Sequence, residues 1–157
     1  MDSQPIDPAE RSGSGPDGSR PDRSTERLLL EGLFADDDIS MAAVDTNLTY
    51  LAFNAVYARE LERLIGRVPT IGSSLLDLTA GRPELRAELV GLWSRALAGE
   101  RFKIERRLGG SDGRVFEVVF KPLRDATGAV VGAGHVGRDV TGRKRIERAL
   151  RESEERY

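Results

Sequence analysis

The sequence predicts an α/β fold of the α+β kind: a five-stranded antiparallel sheet with helices covering one face, followed by a C-terminal connector helix. Three observations lead there. Two short apolar segments, "ISMAAVD" and "TYLAFN", come first; stretches of helical periodicity follow; three longer segments with period-two alternation, separated by short turns, close the domain. Strands on both sides of a helical middle suit helices laid across one face of a single sheet. The chain has 157 residues, room for one compact domain plus tails.

Residues 1–24 combine proline, glycine, serine and charge without apolar periodicity. They cannot recover the entropy of ordering by burial and are expected to be disordered. The folded domain is expected over residues 25–141 and the start of the connector over 142–157. A short helix should begin at Ser24 or Thr25 and run through "ERLLLEGLF", with Leu28, Leu29, Leu33 and Phe34 on its covering face. It either caps the sheet or contacts a second copy. Asp45-Thr46-Asn47 supplies the compact polar side chains of a turn between the first two strands.

"AVYARELERLIG" reads as a helix ending at Gly66, and "SSLLDLTAG" as a shorter one capped by Ser73 or Ser74. "RPELRAELVGLWSRALAGE" carries the clearest helical pattern. Pro83 fits a first turn, Leu85, Leu89, Leu92, Trp93, Ala96 and Leu97 recur on a broad apolar face, and Gly99 ends it. In "RFKIERRLG", Phe102, Ile104, Arg106 and Leu108 alternate with Lys103, Glu105 and Arg107, the pattern of a sheet with one covered face. "GGSDG" then turns the chain into "RVFEVVFKPLRD", where Phe116, Val118 and Phe120 share a face, and "ATG" turns it again into "AVVGAGHVGRDV".

Lys+Arg 24 against Asp+Glu 26 leaves a net charge of -2, which gives no general attraction to nucleic acid or anionic membrane. No run approaches the roughly 18 apolar residues of a membrane span, and the N-terminus has no hydrophobic signal core, so a cytoplasmic placement is expected. The absence of cysteine excludes disulfides, thiolate metal sites and thiol catalysis. His135, the single histidine, has no Ser-His-Asp or His-x-x-x-His arrangement near it in sequence, and no catalytic residue is assigned. Asp36, Asp37 and Asp38 lack the regular spacing of an oxygen-ligand loop and read as a solvated linker; no metal site is assigned. "GAGHVG" lacks the strand-to-helix context of a dinucleotide fingerprint, and "GRDVTGRK" is not a phosphate-binding P-loop. A histidine-kinase phosphoacceptor motif, an ATP-binding glycine box and a cyclase signature are all missing, so these residues are read as non-enzymatic.

Taken in order, the segments resemble a PAS domain of bacterial signal-transduction proteins, such as sensor histidine kinases, over roughly Thr25 to Thr141. "YLAFNAVYARELERLIG" resembles that family's strand-Asn-helix segment, and Asp139-Val140-Thr141 matches its Asp-aliphatic-Thr exit. The closing "RKRIERALRESEERY" resembles the connector by which such domains run into a second PAS-like domain or an output module, which implies the front part of a longer protein. The resemblance implies a sensory and dimerisation module that passes a ligand- or interaction-dependent signal through its C-terminal helix. The alternative is a structural protein-protein interaction domain with a filled core. A small-molecule enzyme is the third reading.

In PAS-like domains the covered sheet face and its helices can surround a small-molecule cavity. Here the candidate pocket is Leu89, Trp93, Ile104, Arg106, Phe116, Val118, Phe120, Ala133, His135 and Gly137, with ordinary core packing as the simpler account of the apolar members. The resemblance implies that Gly137, two residues before the exit aspartate, faces the cavity. Alternation then carries His135, Ala133 and Val131 to the same side unless a bulge intervenes. A buried Arg106 or His135 would need a polar partner, which suits an acidic or polar small organic ligand; a surface salt bridge is the other reading of Arg106. No cofactor is assigned. Cysteinyl-flavin photochemistry lacks its cysteine, and haem lacks the helix-borne histidine that haem-bearing relatives commonly use.

Thr141 is the expected cap of the outgoing helix, although Lys144 stands where Glu or Gln would reciprocate. Asp139 is expected to pair with Arg143 or with a residue of the domain, and the resemblance implies that Asp139 and Thr141 form a coupling joint. Ile146, Leu150, Ser153 and Tyr157 follow at spacings of four, three and four, a short coiled-coil seam that is too brief to hold a homodimer alone. The basic cluster Arg143 to Arg145 is offset by neighbouring acids and lacks an aromatic reading surface, so nucleic acid is not an expected partner.

Overall fold

The structure, a computed structural model, describes residues 23–34, 39–108 and 113–156. The expected disorder of residues 1–22, the Asp36–Asp38 linker, most of the "GGSDG" turn and the terminal seam residue Tyr157 lie outside the described residues. The elements run α1 (Arg23–Phe34), β1 (Ile39–Asp45), β2 (Tyr50–Phe53), α2 (Ala55–Ile65), α3 (Leu75–Leu78), α4 (Pro83–Leu97), β3 (Phe102–Leu108), β4 (Arg114–Arg124), β5 (Val130–Asp139) and α5 (Thr141–Glu155). The first helix therefore starts at Arg23 and takes up the last two residues of the expected tail. On it Leu28 is exposed; the side chains of Leu29, Leu33 and Phe34 lie outside the description.

Local chemistry sets each boundary. Asp45 turns β1 into β2 by accepting the backbone N–H groups of Asn47 and Thr49 on Oδ1 at 2.8 and 3.0 Å, with Leu48 in the left-handed region at φ 62°. Asn54 caps α2 by accepting from Tyr57 N–H, and the same side chain accepts from Met41 N–H and donates to the Ile39 carbonyl. One side chain thus starts the helix and ties it to β1. Gly66, at φ 74°, closes α2 in the left-handed conformation. Ser74 caps α3, and Pro83 opens α4.

The five strands form one antiparallel sheet in the order β2-β1-β5-β4-β3, so the last strand lies in the middle. The alternating side chains Ser40, Ala42 and Val44 of β1 and Phe116, Val118 and Phe120 of β4 are buried in the core, against α2, α3 and α4. Trp93 on α4 is 1% exposed and packs edge-on against Phe120 at 5.2 Å, which in turn stacks on Phe102.

Strand β5 does not alternate strictly. Leu123 pairs with Gly132, but Arg124 pairs with Val130, so Val131 is the extra residue of a bulge. The bulge turns Val131 outward to 46% exposure and corrects the expectation that it shares a side with Ala133 and His135. Next to it, a Cβ on Gly132 would run into the Val44 carbonyl of the paired strand, whereas one on Gly134 would meet only the flexible side chains of Leu123 and Lys121 at 3.5 to 3.7 Å. Gly132→Ala should therefore destabilise the domain by about 1–3 kcal/mol in urea unfolding. Gly134→Ala should be neutral or stabilising by up to about 1 kcal/mol, because it restricts the unfolded chain without a clash. Equal effects from the two would show that the close β1–β5 approach does not constrain position 132.

Candidate functional site

Between α2, α4 and the covered face of the sheet lies a cavity of about 50 Å³. Of the residues expected to line it, Leu89, Trp93, Ile104, Arg106, Val118, Phe120 and His135 do so. Phe116 and Ala133 are instead buried in the packed core at 3% and 0% exposure and are not on its wall. Gly137 is not on the wall either but adjoins it: a Cβ there would lie 3.2 Å from His135 Nε2 and 3.4 Å from both Ser40 Cβ and Val118. The α2 side of the wall, Tyr57, Glu60, Leu61 and Leu64, was not anticipated from sequence. Its signal was present, since 57, 60, 61 and 64 recur at helical spacing and place one carboxylate inside an apolar stripe.

His135 projects from β5 into a cage of rings. Tyr57 and Phe120 meet it edge-on at centroid distances of 5.1 and 5.2 Å, and Trp93 lies nearly parallel at 6.0 Å. Its Nε2 is 3.3 Å from Ser40 Oγ, within hydrogen-bonding distance. The ring is half-buried and lines the cavity. Burial in this apolar setting, with the nearby Arg106 charge as a second cause, pushes the imidazole pKa down to about 3, so the ring is neutral under ordinary conditions. Tyr57 shares a 2.7 Å hydroxyl contact with Tyr50. Burial pushes Tyr50 up to about 12 and Tyr57 well above its ordinary range.

Glu60 is the polar group with least compensation. Its Oε1 is buried without a hydrogen-bond partner among the described residues. Burial raises its pKa from 4.5 to about 7; the Ser40 hydroxyl opposes the shift, the Asp139 charge reinforces it, and Arg114 and Arg63 oppose it. Arg106 also reaches the wall, but its Nη1 donates to Glu88 Oε1 at 2.7 Å, so its charge is satisfied on the outer side. Among the described residues, no cluster of three or more His, Cys, Asp or Glu side chains is placed to hold a metal ion. No described helix is long and apolar enough to cross a membrane.

The exit from β5 is built differently from the expected cap. Thr141 is the first residue of α5, and the acceptor of its backbone N–H is Asp139 Oδ1 at 2.9 Å. The Thr141 hydroxyl does not cap, because it stands inside the helix and turns to the sheet: it donates to Asp139 Oδ1 at 2.6 Å and accepts from Val115 N–H at 2.9 Å. The Val140 N–H donates to the Val115 carbonyl at 2.8 Å. Both backbone groups of Val115 are thereby held by the exit. Asp139 faces Arg114 at 4.0 Å, not Arg143; Arg143 instead reaches Glu117 at 3.1 Å, and Lys144 reaches Glu105 at 2.6 Å. Ile146 and Leu150 are exposed at 70% and 59%.

Residues 36–145 match the model of a family described as the PAS fold. No curated protein matches the chain. Among solved structures, the PAS domain of Bordetella pertussis BvgS is similar at 20% identity and a TM-score of 0.56, over 85% of this chain and 97% of that one. The phage VqmA-DPO complex is similar at 21% identity and a TM-score of 0.57, over 82% of this chain and 59% of that one. A sensory box sensor histidine kinase from Vibrio cholerae is similar at 16% identity and a TM-score of 0.50, over 75% of this chain and 92% of that one. At identities this low, the structural likeness shows a shared fold and nothing more.

The raised pKa of Glu60 gives a pH signature with a definite sign. Between about 4.5 and about 7 the folded protein holds a proton that the unfolded chain has released, so this group's contribution to stability falls as pH rises through that window. His135 acts oppositely between about 3 and 6.5, where the unfolded chain binds the proton. In unfolding free energies measured across pH, the difference between wild type and Glu60→Gln should fall from about pH 4.5 to about 7 and be flat on either side. Its slope should stay below the limit of about 1.4 kcal/mol per pH unit because Glu60 is partly solvated. A difference profile with no slope in that window would place Glu60 in water.

Proposed function

Since the chain belongs to the PAS fold family, we propose that it is a sensory and dimerisation module, in which occupancy of the cavity or contact with a partner alters the seating of α5 and so reaches an output domain joined beyond that helix. The observation that carries this reading is the way α5 is fastened. Glu105 and Glu117 stand directly opposite each other in the β3–β4 register, a like-charge pair that disfavours the sheet. Arg143 and Lys144 of α5 bridge to these two carboxylates, and Lys103 adds a third cation at 3.0 Å from Glu117. Attached helix and sheet strands are therefore electrically complementary, and the Asp139-Thr141-Val115 hydrogen bonds fix the pivot beside them.

The wall of the cavity is contiguous with this pivot. His135 and Asp139 lie on one strand, Val118 of the wall and Val115 of the pivot on another, and the Asp139 and Arg114 charges are felt at Glu60. A shift of β4 against β5 would alter both ends together. The name of the Vibrio cholerae relative, a sensor histidine kinase, supports the same class of role. The exposed Ile146 and Leu150 stripe supports self-association through α5.

Three outcomes follow. Asp139→Ala should lower global stability by about 1 kcal/mol while abolishing hydrogen-exchange protection at Thr141 to Lys144; equal loss of protection in β1 and β5 would refute a joint-specific role. Raising salt should loosen α5 in the same assay without exposing the sheet, because its ion pairs are solvent-accessible. For self-association, sedimentation should show weak, concentration-dependent dimers that Ile146→Glu with Leu150→Glu abolishes; unchanged association in that variant would move the dimer contact elsewhere.

A further inference from the structure

We propose that the cavity takes a small, uncharged molecule that presents N–H or O–H donors, of the amide or azole class, and that Glu60 and His135 are the groups that accept them. This rests on the sensory reading of the cavity above and names the chemistry of its ligand. The wall is apolar over most of its area, with Trp93, Phe120 and Leu89 facing the α2 side, so its few polar atoms decide what can enter. Those atoms are unequal. Arg106 already has Glu88, whereas the Glu60 side chain lines the space and its enclosed Oε1 has no hydrogen-bond partner among the described residues.

Net charge is disfavoured by desolvation. The Glu60 carboxylate and the Arg106 guanidinium line the same small volume and oppose each other's field, so an ion of either sign would lose its hydration in a mostly apolar wall without a matching gain. A neutral donor does not meet that penalty. The Ser40 hydroxyl donates to Glu60 and holds its pKa down, so across 3.3 Å it accepts from His135 Nε2, which leaves Nδ1 as the acceptor of the neutral ring. Gly137 keeps this end open, since the methyl of an alanine would press on His135 Nε2 and Ser40. At about 50 Å³ the space suits a ligand of a few heavy atoms. Glu60 also sits beside the exit charges, so a donor that stabilises its carboxylate form changes the field at Asp139 and Arg114.

Acetamide and acetate have the same shape and differ in the property at issue. Each is titrated into the full 157-residue chain at mildly alkaline pH, followed by the fluorescence of the single tryptophan, Trp93, and by backbone and His135 ring resonances. Acetamide should give saturable shifts at Trp93 and His135, and acetate at least tenfold weaker ones. Glu60→Leu and Gly137→Ala should each weaken acetamide at least tenfold; the wild-type pair of titrations stands alone if a variant fails to fold. Acetate binding as well as acetamide, or no saturable shift from either, overturns the proposed ligand class. Saturable acetamide binding that leaves the Thr141–Lys144 amides unmoved keeps the ligand class and removes the sensory reading. Acetate binding that moves those amides does the reverse.

Discussion

The pairing of β5 with a neighbour on each edge is the constraint from which the rest of the molecule follows. From Ile39 opposite Arg138 to Asp45 opposite Gly132 on one side, and from Phe116 opposite Asp139 to Arg124 opposite Val130 on the other, the last strand completes both halves of the sheet. A strand approached this closely must be thin. Gly132 leaves room for the Val44 carbonyl, Ala133 is fully buried, and Gly137 leaves room beside Ser40. The same strand carries the cavity's histidine near its middle and the aspartate that starts α5 at its end. Cavity and exit are consequently two stations on one rigid element.

Desolvation then decides the electrical state of the interior. Tyr50 and Tyr57 keep their protons, and His135 stays without its second one, because burial disfavours the charged form in each case. The two tyrosines share a hydroxyl hydrogen bond, His135 meets Ser40, and the ring contacts around His135 leave it little freedom. Glu60 is the exception in this neutral set, since its transition falls near neutrality. Arg106 avoids the difficulty by turning its charge outward to Glu88. The interior thus combines a fixed, uncharged frame with one carboxyl group whose charge responds to what stands next to it.

Much of this architecture was legible in the sequence because it rests on local rules. The alternation of Phe102, Ile104, Arg106 and Leu108 with charged neighbours defined β3, and Pro83, Gly66 and Ser74 marked helix ends through backbone geometry that no distant residue alters. Other features depend on what the chain meets after folding. The bulge at Val131 arises from the registry between β4 and β5, so strict alternation along one strand could not reveal it. Thr141 has the side chain of a good cap, but Val115 and Asp139 claim its hydroxyl. Phe116 and Ala133 share parity with the wall residues and still miss the cavity, because parity assigns a face of the sheet and not a depth along it. Glu60 was hidden by its type: a glutamate on a helix is ordinarily solvated, and only its place between Tyr57 and Leu64 told otherwise.

The balance of forces at α5 explains how so small a cavity could govern a helix. Beyond Val140, which is buried, α5 buries no residue, so apolar packing does not hold it. Its exposed ion pairs contribute little individually. What remains is the cluster of hydrogen bonds among Asp139, Thr141 and Val115, each worth about 0.5–1.5 kcal/mol. On the proposed sensory reading, a helix held this lightly would move between seatings for a small differential, and about 1.4 kcal/mol would change such an equilibrium tenfold. One new hydrogen bond to the unpaired Oε1 of Glu60 would supply an effect of that order. The loose fastening of α5 and the unmet acceptor of Glu60 are thus matched in scale, and each would be wasteful in a domain whose helix were packed against a filled core.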